Sequence, residues 1–127
     1  MCLPLIDPTA VLCIGKSIDF LQALDPSFRE TNRALALEAR QILCEALGAA
    51  PPAPESMIGS LAAVPLPDGD NVALQDSLWR EHRIEVPIMP WPEPPKRLVR
   101  VSAQLYNTRE QYAYLANALI ALAGGSR

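Results

Sequence analysis

The run from Arg97 to Leu122, RLVRVSAQLYNTREQYAYLANALIAL, carries two hydrophobic periods back to back, and any fold must satisfy both. Leu98 to Ala103 alternates with a period of two, the pattern of a strand with one buried face. Val99, Val101 and Ala103 form the apolar row, so Arg100 and Ser102 point the other way. A tight connection through Tyr106 and Asn107 then opens a helix. Thr108-x-x-Gln111 is a capping box, and Tyr112, Leu115, Ala116, Leu119 and Ala123 recur on one buried stripe. That helix covers one face of its own strand. Arg100 lies on the other face, and something else must meet it. Arg97, at the start of the same strand, is expected to tolerate replacement by alanine.

Upstream, Met1 to Ile6 reads as an irregular lead-in, and DPTAVLCIGKSIDFLQAL from Asp7 as a helix. Asp7 or Thr9 can cap it, Pro8 suits a first turn, and Ile14, Ile18 and Leu21 recur at helical spacing. Gly15 weakens its middle or marks a bend. Ser27-x-x-Glu30 is a second capping box and starts the longest helix, Phe28 to Leu47. Its inner stripe is Leu35, Ala39, Ile42, Leu43 and Ala46, with Arg29, Arg33, Arg40 and Glu45 on a solvated face. Gly48 ends it. AAPPAPES, residues 49–56, is an extended loop.

A first strand follows over Gly59–Leu66, with Pro65 pushing it to a sheet edge. Pro67 to Asp70 is a turn, Asp70 or Asn71 caps a short helix running to Trp79, and Ile84, Val86 and Ile88 alternate as another strand. Met89 to Pro95 is a rigid proline-rich crossing, in which a PxxP ligand motif is the less economical reading. The expected fold class is α+β: a small, mostly antiparallel sheet with helices packed on one face. At 127 residues there is one core and one domain, residues 1–127.

The net charge of −3 leaves no basic footprint for nucleic acid, and no apolar run is long enough to span a membrane. The expectation is a cytoplasmic protein with neither as a partner. Cys2, Cys13 and Cys44 lack metal-ligand spacing and His82 stands alone, so neither a metal site nor disulfides are expected. Cys44 reads as a small buried thiol. The Gly15-Lys16-Ser17 triplet is no P-loop, because Ala10 stands where the upstream glycine belongs.

The run Arg100-Val-Ser102-Ala-Gln-Leu-Tyr106-Asn107-Thr108 resembles the carboxy-terminal signature of class V aminotransferase-like enzymes, in particular their isopenicillin N epimerase-like branch. Those are fold-type I enzymes that use pyridoxal phosphate. Taken alone, Arg100 is an ordinary solvated arginine. The resemblance implies that it grips the α-carboxylate of an amino-acid substrate, a task that suits a planar, permanently charged fork of donors. Trp91, Ser102, Tyr106 and Asn107 become possible neighbours of that substrate, although Trp91 packed on its own domain is the simpler reading. Asp7-Pro8-Thr9 and Ser17-Ile18-Asp19-Phe20-Leu21 extend the resemblance, whereas Pro4-Leu5 replaces the Gly-Thr pair that helps hold the cofactor phosphate. That contact is not carried over.

The same resemblance implies the architecture of the small domain of fold-type I enzymes, with the large cofactor-binding domain absent. Lys16 and Lys96 are the only lysines, and neither has the Ser/Thr-rich, His-Lys setting of the cofactor lysine. The expectation is therefore pyridoxal phosphate in the complete parent enzyme and none on this chain alone. The missing large domain, a substrate carboxylate and a second copy in a homo-oligomer are the expected partners. The competing reading is a non-catalytic interaction module whose Arg100 face is a docking surface.

Overall fold

The strand Arg97–Ser102 (β3) forms the centre of the sheet in the computed structural model, which describes residues 7–124 and side chains through Leu122. Met1 to Ile6, with Cys2, and the side chain of Ala123 lie outside the described residues. The strand Leu61–Leu66 (β1) pairs with β3 on one side and the short strand Ile88–Pro90 (β2) on the other, both antiparallel. The order is therefore β1-β3-β2. Pro65 stands in an edge strand, where its missing N–H costs no ladder bond. In register, Val64 faces Val99 and Ala63 faces Arg100.

Among the described residues, five α-helices accompany the sheet: α1 (Thr9–Leu12), α2 (Ile14–Leu24), α3 (Phe28–Leu47), α4 (Asn71–His82) and α5 (Arg109–Gly124). The core lies between the Val64/Val99/Val101 face and α3, α4 and α5, with Leu43, Leu78, Leu119, Val64 and Val99 its largest fully buried side chains. The α+β class and the helix-covered single face are as the periodicities require. The helix after β3 starts on half of its capping box, Gln111 Oε1 accepting from the Thr108 backbone N–H at 3.2 Å. Gly48 ends α3 at φ +63°, the left-handed conformation that favours glycine.

Four features depart from the sequence reading. The first helix breaks at Cys13, two residues before Gly15, and its apolar residues find no cover. Val11, Leu12, Ile14, Ile18, Phe20 and Leu24 are 49–75% exposed. The Ser27 hydroxyl does not cap α3, because it and its own N–H both donate to Asp25 Oδ1 at 2.8 Å. Those bonds hold the Asp25 carboxyl below its ordinary range. The segment from Ile84 to Val86 is not laddered: α4 lies along this edge, and Gln75 Oε1 takes the Ile88 N–H at 3.0 Å.

Arg97 is the fourth. Its guanidinium reaches back across the sequence to donate to Pro67 O at 2.8 Å and to Asp70 O, and a Cβ on Gly69 would stand 2.9 Å from its Nη2. It pins the turn before α4 and is no neutral position. Burial pushes its pKa down, against the pull of Asp70 and Asp68. Asp70 in turn caps α4, accepting from Val72 N at 2.8 Å and Ala73 N at 3.0 Å. Asp70→Ala is expected to cost about 0.5–2 kcal/mol in urea unfolding. An unchanged midpoint would contradict that role.

Candidate functional site

The alternation of β3 sends Val99 and Val101 into the core and leaves Arg100 and Ser102 exposed on the opposite face. The backbone fixes Arg100 from both sides. It sits opposite Ala63 on β1, and its N–H donates to Pro87 O at 3.1 Å. Ala63 is small, so the guanidinium has room above the edge strand. Among the described residues, none of the ion pairs engages it. Here it borders a recess of about 210 Å³ whose walls include Ala53, Ile58, Leu61 and Ala63.

The wall formed by residues 52–58 is held in place by two arginines of α3. Arg33 donates through Nε to Ile58 O at 3.0 Å and through Nη2 to Glu55 O at 2.9 Å. Arg40 donates through Nη1 to Ala53 O at 2.8 Å, and its Nη2 lies 3.5 Å from Glu55 Oε1. A proline-rich loop has few backbone donors and no ladder, so external donors to its carbonyls decide its path.

Arg40 corrects the sequence reading. It was assigned to a solvated face, yet only 5% of it is exposed and it lines the same recess as Arg100. The signal was present in the spacing. Ala36, Arg40 and Leu43 follow at i, i+4 and i+7, one stripe of the helix, and all three are buried.

None of the other sequence candidates lines the recess beside Arg100, although Ser102 shares its strand face. Ser102, Tyr106 and Asn107 line a second recess, of about 460 Å³, together with Arg83 and Tyr112. There the Tyr112 hydroxyl donates to Ser102 O at 2.7 Å. Burial, with Tyr106 nearby, pushes the Tyr112 phenol up. Asn107 is engaged in the turn: its Oδ1 accepts from Gln104 N at 3.0 Å, and its Nδ2 donates to Gln111 Oε1 at 3.0 Å. Trp91 borders neither recess and is 64% exposed, so it is not packed on its domain.

No family model matches this sequence. Curated relatives do. An isopenicillin N epimerase of Streptomyces clavuligerus is 37% identical over 117 residues, which are 89% of this chain and 29% of that protein. A second, from Amycolatopsis lactamdurans, is 38% identical over 112 residues, 85% of this chain and 28% of the relative. Over most of its length the chain is homologous to a segment of isopenicillin N epimerases. It spans under a third of the length of these relatives.

The fold of this epimerase-like chain is similar to part of a crystal structure of 8-amino-7-oxononanoate synthase from Francisella tularensis. The TM-score is 0.52 at 20% identity, over 76% of this chain and 29% of that one. The architecture is that of the small domain of fold-type I enzymes.

The lysines of the epimerase-like chain do not fit a cofactor site. Lys16 has an 89% exposed side chain whose Nζ lies 3.5 Å from Asp19, and Lys96 is exposed in the proline-rich crossing. Neither borders the two recesses. A lysine that holds pyridoxal phosphate needs a recessed amine, and the amines of Lys16 and Lys96 lie on exposed side chains. Among the described residues no group of His, Cys, Asp and Glu could hold a metal ion, and no helix is long and apolar enough to cross a membrane.

Proposed function

We propose that this chain is the carboxy-terminal, substrate-carboxylate-binding small domain of a cytoplasmic, fold-type I pyridoxal-phosphate enzyme of the isopenicillin N epimerase type. It is inactive alone. A large domain supplies the cofactor and its lysine, and the assembled protein works as a homo-oligomer. The observation that carries this reading is Arg100: an exposed guanidinium without an ion-pair partner among the described residues, on the sheet face away from the core helices. Its role is to bind and orient. A bidentate pair with the substrate carboxylate fixes the rotation of the Cα substituents, so that the bond to be broken faces the chemistry of the large domain. Approach of the large domain would also exclude water from this recess and strengthen the pair.

The exposed apolar residues of α1 and α2 favour a second reading, an interaction module that docks a protein partner. One experiment separates the two. Residues 7–122 are grafted in place of the matching segment of the Streptomyces clavuligerus relative. The hybrid is expected to turn over an α-amino-acid substrate, whereas the chain alone, supplied with pyridoxal phosphate, is not. A folded, cofactor-loaded hybrid without activity would favour the interaction module, and turnover by the chain alone would contradict the division of labour.

A further inference from the structure

The second recess lies where two chain segments in register part company. The pairing of β2 with β3 sets Ile88 against Val99, and its continuation would set Val86 against Val101 and Glu85 against Ser102. The last bond of that series runs from the Arg100 N–H to Pro87 O, at 3.1 Å. Beyond it, the end of α4 holds the incoming chain back. Arg83 closes that helix at φ +58°, and the Ile84 N–H stays with Leu78 O at 3.0 Å. Among the described residues no backbone bond joins Glu85 to Ser102. The cleft of about 460 Å³ opens between these two segments, and both line it.

Its chemistry is that of an unfinished ladder. N–H groups two residues apart on a strand point the same way, so the Ser102 N–H faces the cleft as that of Arg100 faces Pro87. The Ser102 carbonyl on that side is taken by the Tyr112 hydroxyl at 2.7 Å, which leaves the donor over. The same register turns the backbone of Glu85 towards the gap from the far side. Val86, Val101 and Leu115 make the floor apolar, and Tyr106, 80% exposed, stands at the rim. A cleft of this size with an apolar floor and a few polar groups suits a ligand.

We infer that this cleft binds an extended peptide segment of a partner protein, one amide unit of which completes the ladder between Ser102 and Glu85. A guest carbonyl accepts from the Ser102 N–H, and a guest N–H donates to the Glu85 carbonyl. An apolar side chain beside that amide rests on the floor against the Tyr106 ring. Backbone pairing supplies affinity and the floor selects the side chain, the division of roles found in strand addition. Arg100 does not line this cleft, and its carboxylate role is not needed here.

The test is an amide NMR titration of the full chain with N-acetyl-L-leucine N-methylamide, a blocked residue with two amides. Saturable shifts are expected, centred on the Ser102, Glu85 and Val86 amides. The counterpart methylated on both amide nitrogens keeps the carbonyls and the apolar body but has no N–H. It should bind about three- to tenfold more weakly. Ser102→Pro deletes the donor and should abolish binding. Because that change sits in β3, Tyr106→Ala provides a second arm at an exposed position and should weaken the probe several-fold.

Equal binding of the two probes would mark a general apolar cleft and overturn the inference. So would shifts spread over the exposed residues of α1 and α2 instead, the absence of any saturable shift, or an affinity unchanged by Tyr106→Ala. Shifts at Ser102 that depend on protein concentration without any probe would name a second copy of this chain as the occupant, which also overturns it.

Discussion

Leu43→Ala is expected to cost about 2–5 kcal/mol of unfolding free energy, against the roughly 5–15 kcal/mol that holds a domain of this kind together. Leu43 is fully buried on α3, in the cluster that joins α3 and α5 to the sheet. Truncation removes its transfer free energy and leaves a cavity that α3 cannot readily close, because the helix is tied to the 52–58 loop through Arg33 and Arg40 and to α5 by the 2.7 Å pair of Arg109 with Glu38. Ile18→Ala is the contrasting change. Ile18 is 49% exposed on α2, so in the isolated chain its loss should stay within about 0.5 kcal/mol. Urea unfolding of both variants checks the pair. Equal costs would mean that α2, and not only α3, belongs to the core.

That contrast shows where the sequence was a sufficient guide and where it was not. A period-two row is enough to tell that Val99 and Val101 face inward and Arg100 outward, because neighbouring strand residues must point to opposite faces. The Asp70 cap and the Gly48 stop were legible for the same reason: each is a local requirement of a helix end. The apolar stripe of α2 was equally legible as a stripe, but periodicity says which face is sticky and not what covers it.

The arginines were the harder part. Arg97 and Arg40 find their acceptors 27 and 13 residues away, at Asp70 O and Ala53 O, and nothing near them in sequence announces those contacts. Arg40 at least stood on the same stripe as Ala36 and Leu43, and a cation at such a position asks for a buried partner. Family wording grouped Trp91 with Tyr106 and Asn107, and only the last two share a recess in the fold. Asn107 spends its side chain on the Gln104 and Gln111 turn instead.

The central claim is that Arg100 binds the carboxylate of an amino-acid substrate, and Arg100→Ala in the grafted protein tests it most directly. The change removes an exposed side chain, so the fold and the cofactor absorbance should be retained. Loss of a desolvated bidentate charge pair costs about 2–5 kcal/mol, which lowers kcat/KM for α-amino acids by about one and a half to four decades. Arg100→Lys should recover only part of this, since an ammonium keeps the charge and loses the two-pronged geometry. The decisive comparison is with amines of the same shape that lack the carboxylate. The account predicts a large loss of kcat/KM for the acids and little change for these amines; equal losses for both, or none for either, would contradict it.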